Sequence, residues 1–253
     1  MRNLIYLFFM IFFSMKVYAT KMPLIQVIVS QFAPYEYVDD KGKETGFSLE
    51  VFQAIAEEVG AEIEVAFYPW SRGMKILAKN PNAVIFTATR NETREDNFKW
   101  VGPIASRSVN IYKLKESRFT LEISSLNNEE ALSDILSKQY VIGAAIGDAS
   151  EISLKAQGYD VFSVPHTEQY IQMLFKNRLG LISGLELTLA YRLNKLGYKF
   201  SDVEKVAVFN DKYSYYFMFN KRISSDVVYQ FQKALGKIKY NGVYAKLKEK
   251  YLN

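Results

Sequence analysis

The sequence predicts an α/β fold built as two units of similar size. Three observations predict it. Short apolar, β-branched runs alternate with helical patterns almost throughout, which is the signature of parallel sheets flanked by helices. The alternation begins a second time after about residue 108. No low-complexity segment and no Pro/Gly/Ser-rich linker separates the halves, so two lobes joined by more than one strand are expected rather than two independent domains.

In chain order, LIQVIV (24–29) is the first strand. FAPYEYVDDKGKETG (32–46) follows as a loop or small hairpin, with Asp39, Asp40, Lys41 and Gly42 supplying its turn. FSLEVFQAIAEEVG (47–60) has apolar residues at Val51, Phe52, Ile55, Ala56 and Val59, one face of a helix that Gly60 ends. EIEVAF (62–67) is a second strand, and Ser71 is placed to cap a helix running to about Lys79. Ala83-Val84-Ile85 opens the third strand and leads straight into FTATRNETRED (86–96). Thr87 and Thr89 alternate along that strand's end, and Arg90 and Arg94 stand in the polar turn after it.

SVNIYKL (108–114) is the next strand, and the second cycle starts with a helix near 128–137. Strand YVIGAA (140–145), helix 149–157, strand DVFSV (160–164) and helix 168–177 follow. LGLIS (179–183) and a helix over 185–196 complete it. EKVAVF (204–209) and YSYYFMF (213–219) are two more strands, and two amphipathic helices at about 224–239 and 241–251 end the chain. Ligands of such folds bind at the carboxyl ends of strands and at interfaces between lobes, so the loops after strands are the places to search.

Residues 1–19 read as a secretory signal peptide: Arg2, an apolar run from Leu4 to Met15, and Val17-Tyr18-Ala19 as a cleavage site, with an uncleaved anchor as the alternative because Lys16 comes late. The apolar run falls short of the roughly 20 residues that span a bilayer. Cleavage after Ala19 takes 19 residues from 253 and leaves 234, with 30 basic against 27 acidic side chains once Arg2 and Lys16 are gone. A net charge of +3, evenly spread, argues against nucleic acid as a partner. The chain has no cysteine, which excludes disulfides, thiolate metal sites and a lipid-modified N-terminal cysteine. The expected product is a soluble, monomeric periplasmic protein whose apolar core alone must hold it together.

Four segments then resemble one known family, the extracellular solute-binding proteins of family 3, which include the polar-amino-acid binding proteins of ABC transporters. They are FAPYEYVDDKGKETGFSLEVFQAIAEEVG (32–60); FYPW (67–70) before a helix; T-x-T at 87–89 with Arg94-Glu95, Trp100 and Pro103; and NGVYAKLKEKYL (241–252). They occur in the family's order across nearly the whole mature chain. The resemblance implies a type II-like, two-lobed periplasmic binding protein fold, with the ligand cleft between lobes joined by crossover strands. Lobe 1 would be 20–107 plus 213–253 and lobe 2 would be 108–212.

Carried over by motif, Arg94 would grip a ligand α-carboxylate, with Thr87 and Thr89 as hydroxyl partners. A guanidinium fork suits that job, because it can bind a carboxylate through two charge-assisted hydrogen bonds. Phe32, which opens the FAPY-like motif, would stack on the ligand, and Trp70 stands where a cleft-facing aromatic is expected. Tyr35, Tyr37 and Tyr68 are open between ligand contact and packing, and Arg90 and Arg72 are expected in solvent. In lobe 2, IGAAIGDASE (142–151) departs from the family pattern: Asp148-Ala149-Ser150 replaces the usual hydroxyl pair, with Asp148 expected as a helix N-cap beside the ligand. In LISGLELTLAY (181–191), Glu186 is the candidate partner of a ligand ammonium, although the commoner bacterial spacing falls on Leu185.

His166 is the sole histidine and has no cysteine or carboxylate cluster with it, so a metal site is not expected and no cofactor is called for. The implied function is capture of a small polar, amino-acid-like ligand for the permease and ATPase of an ABC importer. A cyclohexadienyl-dehydratase-like enzyme, with Glu186 or Asp148 as general acid, is one alternative; a sensor acting through a separate membrane protein is another.

Overall fold

The computed structural model describes residues 22–123, 127–210 and 212–253, so the leader lies outside the described residues. Two five-stranded sheets carry the chain. The first contains β1 (Ile25–Val29), β4 (Ile63–Phe67), β5 (Ala83–Thr89), β6 (Phe98–Ser106) and β12 (Ser214–Asn220), in the order β4-β1-β5-β12-β6. The second contains β7 (Val109–Leu114), β8 (Ile142–Ala145), β9 (Val161–Val164), β10 (Leu181–Gly184) and β11 (Val203–Asn210), in the order β11-β7-β10-β8-β9. In each, three parallel strands are extended by two antiparallel ones. The small hairpin β2 (Tyr37–Val38) and β3 (Glu44–Thr45) forms where the Asp39–Gly42 turn was expected.

Helices cover both faces of each sheet, because strands buried on two sides need an apolar partner on each. On the first sheet, α1 (Phe47–Val59), α8 (Ser225–Tyr240) and α9 (Val243–Leu252) close one core around Phe52. There Phe52 meets Phe86, Phe217 and Phe231 at centroid distances of 4.8, 4.9 and 5.2 Å. The opposite face packs on α2 (Trp70–Lys79) through Leu77 and Met218. On the second sheet, α6 (Thr167–Phe175) and α7 (Glu186–Lys195) cover one face, while α4 (Asn128–Ser137) and α5 (Ala149–Ala156) cover the other.

Gly46, which joins the hairpin to α1, has φ +129°, and a Cβ there would lie 2.3 Å from the Tyr35 carbonyl oxygen. Only glycine allows this close approach, which seats the FAPYE turn on the helix start.

Two local expectations are corrected. Strand β6 was not foreseen; its Pro103 is tolerated since β6 is the sheet's edge and needs no donor on its outer side. The helix α2 starts at Trp70 with Pro69 in the capping position, so Ser71 lies inside the first turn rather than capping it. Pro69 suits a helix start because its fixed φ, −55° here, leads into the helix.

The chain crosses between the sheets twice, at 106–109 and 210–214, and the Arg107 amide donates to the Tyr213 carbonyl across the two crossings at 3.1 Å. A second set of contacts joins the halves through α7: Tyr37 packs edge-on against Tyr191 at 5.6 Å, Lys195 pairs with Asp40 at 2.8 Å, and Leu187 enters the core of the first sheet.

Candidate functional site

The first half of the site grows from the end of β5. Between the pairs Ile85–Met218 and Ala88–Tyr216, Phe86 and Thr87 oppose the single residue Phe217, which makes a β-bulge. Thr87 carries it with φ +50°, a strained backbone for a β-branched residue. Its side chain is 7% exposed and its hydroxyl donates to the Glu36 carboxyl at 2.5 Å, with Ser48 Oγ at 2.8 Å. Thr87, expected as a ligand hydroxyl, thus has its donor and one acceptor position engaged inside the core.

The bulge re-aims the two residues beyond it. Thr89 is half-buried, and its hydroxyl has no partner among the described residues. Arg94 sits on the one-turn helix α3 (Glu92–Glu95), and its Nη1 donates to the Thr89 carbonyl at 3.2 Å. The guanidinium carbon lies 5.4 Å from the Trp70 ring centroid, so the cation rests over an aromatic face. No carboxylate of the described residues comes within 4.0 Å of it. Arg94 is a half-buried cation with donors to spare.

Arg90, expected in solvent, makes a two-pronged surface ion pair with Glu95 and lies 5.3 Å from the Tyr216 ring centroid. Arg72 is exposed over Tyr68 at 4.7 Å. The FAPYE turn places Phe32 against Tyr35, stacked at 5.1 Å, with Tyr35 buried in the core.

The second half is a cavity of about 320 Å³ on the carboxyl-end side of the second sheet. Phe32 and Arg107 reach it from the first half and the crossover. Asp148, Ser150 and Ser153 come from the start of α5, and Thr167 and Tyr170 from α6. Ser183, Gly184 and Leu185 from the end of β10, then Thr188, Leu189 and Arg192 along α7, complete most of the wall.

Asp148 occupies the N-cap position of α5, but its carboxylate caps nothing. Glu151 takes over instead: it accepts from the Gly147 amide at 3.0 Å, from Ser163 Oγ at 2.7 Å and from Lys155 at 2.7 Å. Asp148 is thereby left to the cavity, and burial raises its pKa while Arg192 pulls it down. Arg192 itself is ion-paired with Glu168. Glu186 was the candidate partner of a ligand ammonium. It lies outside the cavity wall, its carboxylate 2.7 Å from Lys248 of α9, and Leu185 lines the cavity in its place. His166 is exposed at the head of α6, and no group of His, Cys, Asp and Glu that could hold a metal occurs among the described residues.

Arg107 and Arg192 were missed from sequence. Leu185, Thr188, Leu189 and Arg192 recur at helical spacing, so that face of α7 was readable once its start was known. Arg107, alone in a short crossover, had no periodicity to expose it.

The bacterial extracellular solute-binding proteins, family 3, match residues 24–253 as a family model. The chain belongs to this family. The match spans both sheets and both halves of the site, and it accounts for the paired α/β units of a solute-binding fold. Comparison with curated protein sequences finds no significant match. Among solved structures, the substrate-binding domain 2 of Lactococcus lactis GlnP in open conformation shares 20% identity, 90% of this chain, 95% of that one and a TM-score of 0.74. The unliganded, open L-cystine solute receptor of Neisseria gonorrhoeae gives 21%, 90%, 92% and 0.75. A polar amino acid ABC uptake transporter substrate-binding protein from Streptococcus thermophilus gives 15%, 90%, 86% and 0.76. At these identities the likeness is one of fold, and the fold is the two-lobed one of periplasmic binding proteins.

Proposed function

We propose that this solute-binding protein captures a small, polar, amino-acid-like ligand in the periplasm and delivers it to the permease and ATPase of an ABC importer. The observation that carries the reading is Arg94, a guanidinium at the end of β5 with no internal carboxylate and an aromatic platform beneath it. Such a group is built to receive an anion from outside. The names of the structural neighbours, which bind or take up amino acids, favour the same ligand class.

In this reading lobe 1 is 20–107 plus 213–253 and lobe 2 is 108–212, a division supported by the way each sheet draws its strands from one of these ranges. Arg94, Thr89 and Trp70 would hold the ligand's carboxylate end from lobe 1. Phe32 would stack on it, and Asp148 would meet it from lobe 2. Rotation about the connections that follow β6 and precede β12 would bring the halves together over the ligand. Ligand that contacts both lobes then favours the closed state by its differential affinity. The segment 1–19 is the export signal of this scheme, cleaved after Ala19.

A thermal-shift screen of the mature protein against the standard amino acids, short carboxylates and amines tests the proposal. A rise in melting temperature with amino acids is expected, since a ligand bound only by the folded state stabilises it. No shift with any amino acid overturns it.

A further inference from the structure

The charges that the cleft leaves unpaired define its ligand more narrowly. Arg94 has no carboxylate partner, as described above. Arg107 is a second such cation. It lines the cavity together with Phe32 and Asp148, it lies near enough to the Tyr215 hydroxyl to favour its ionised form, and no described carboxylate lies within 4.0 Å of it. Its main chain is pinned across the crossover by the bond to Tyr213, so the side chain leaves a fixed point. Arg192 is the third guanidinium in the wall, but Glu168 already neutralises it. Asp148 is the single carboxylate among the cavity-lining residues; it accepts no hydrogen bond from the described residues and has no cation within 4.0 Å. Glu186 is occupied by Lys248, and Leu185 and Leu189 offer nothing to an ammonium.

Arg107 and Asp148 stand in the cavity wall, and Arg94 stands outside it in the first half. Two cations without a carboxylate partner and one carboxylate, with Arg192 as its nearest charge, are thus set on the two halves. We infer that the ligand carries the complementary set, two carboxylates and one ammonium, as an acidic amino acid does: one carboxylate on Arg94, the second on Arg107, the ammonium on Asp148. The inference rests on the proposed role of Arg94. Ser150 and Thr167, also in the wall, carry hydroxyls that can donate to the remaining oxygens of the second carboxylate. A cavity of about 320 Å³ is at the small end of ligand sites, as a compact amino acid requires. A neutral amino acid would leave the Arg107 charge without compensation once closure excludes water, and uncompensated buried charge is strongly unfavourable.

Titration calorimetry on the mature protein with L-glutamate, L-aspartate, L-glutamine and L-asparagine tests this. At least one acid should bind about tenfold or more tightly than its own amide, the scale of a charge-assisted hydrogen bond. Arg107→Gln should abolish that preference, weakening the acid and tightening the amide, because it removes the charge that the amide leaves uncompensated. Arg107→Lys, which keeps the charge, should retain part of the preference and guards against a folding defect in the first variant. Equal binding of acid and amide by the unaltered protein overturns the inference and leaves amino-acid capture standing. So does an equal loss for acid and amide in Arg107→Gln, which would make Arg107 a closure contact. Failure of every standard amino acid to bind overturns the proposed function itself.

Discussion

The Thr87 hydroxyl donates to Glu36 at 2.5 Å in the core of the first sheet, and through it the FAPYE turn is tied to the bulge that aims Thr89 and Arg94. Glu36 is 1% exposed and has no cation, so burial pushes its carboxyl well above the usual carboxylate range, against the opposing pull of the Thr87 bond. A pKa raised in the folded state means that the folded protein binds this proton more tightly than the unfolded chain does. Its stabilisation is full below the unfolded pKa of about 4.3 and is lost as pH rises through the folded value. Glu36→Gln should therefore gain stability relative to the unaltered protein as pH increases. Urea unfolding at stepped pH measures this, and a difference that does not vary with pH refutes it. Thr87→Val, which strands the carboxyl without its donor, should cost about 1–3 kcal/mol in the same assay.

Arg94→Ala should weaken ligand binding by roughly 2–5 kcal/mol, because it leaves the ligand's carboxylate unpaired in the closed cleft. Stability should change little, since the side chain's internal bond is a single one of 3.2 Å to the Thr89 carbonyl. Calorimetry that finds unchanged affinity removes Arg94 from the site.

Glu186→Gln serves as the contrasting variant. Its partner is Lys248, both side chains are more than a third exposed, and such pairs contribute about 0–1 kcal/mol. Ligand affinity should stay within about twofold of the original by calorimetry. A large loss would return Glu186 to the cleft.

Glu151 should contribute to the acid limb of stability at the start of α5. Bonds from Lys155, Ser163 and the Gly147 amide hold its pKa down at about 2. With the folded value depressed, the stabilisation is present above the unfolded pKa near 4.3 and disappears as pH falls from there toward 2. Circular dichroism melts across that window should show a shallower decline for Glu151→Gln than for the unaltered chain. Parallel declines would mean that another carboxylate controls the limb.

The order of strands and helices was legible because the period of the apolar residues reports which face of each element is covered. The α1 stripe of Val51, Phe52, Ile55 and Ala56 is buried as read, and Gly60 ends that helix in the left-handed conformation. Strand β6 escaped, and only its place on a sheet edge makes its Pro103 harmless. The same division runs through the site. Arg94 could be picked from its motif, whereas Thr87 and Thr89, equivalent in the motif, were separated by a bulge that sends one hydroxyl to Glu36 and leaves the other free.

By itself the sequence determined the α/β class, the two-unit organisation and the family, since each is written in local periodicity or a contiguous motif. Tertiary structure decided which charges are already neutralised. Glu186 lies 62 residues from Lys248 in the chain and 2.7 Å from it in space, and Arg192 meets Glu168 across 24 residues. Pairings over such separations leave no local trace. In the proposed site, Arg94 and Arg107 are the guanidiniums without a carboxylate within 4.0 Å among the described residues, and that distinction is visible only in three dimensions.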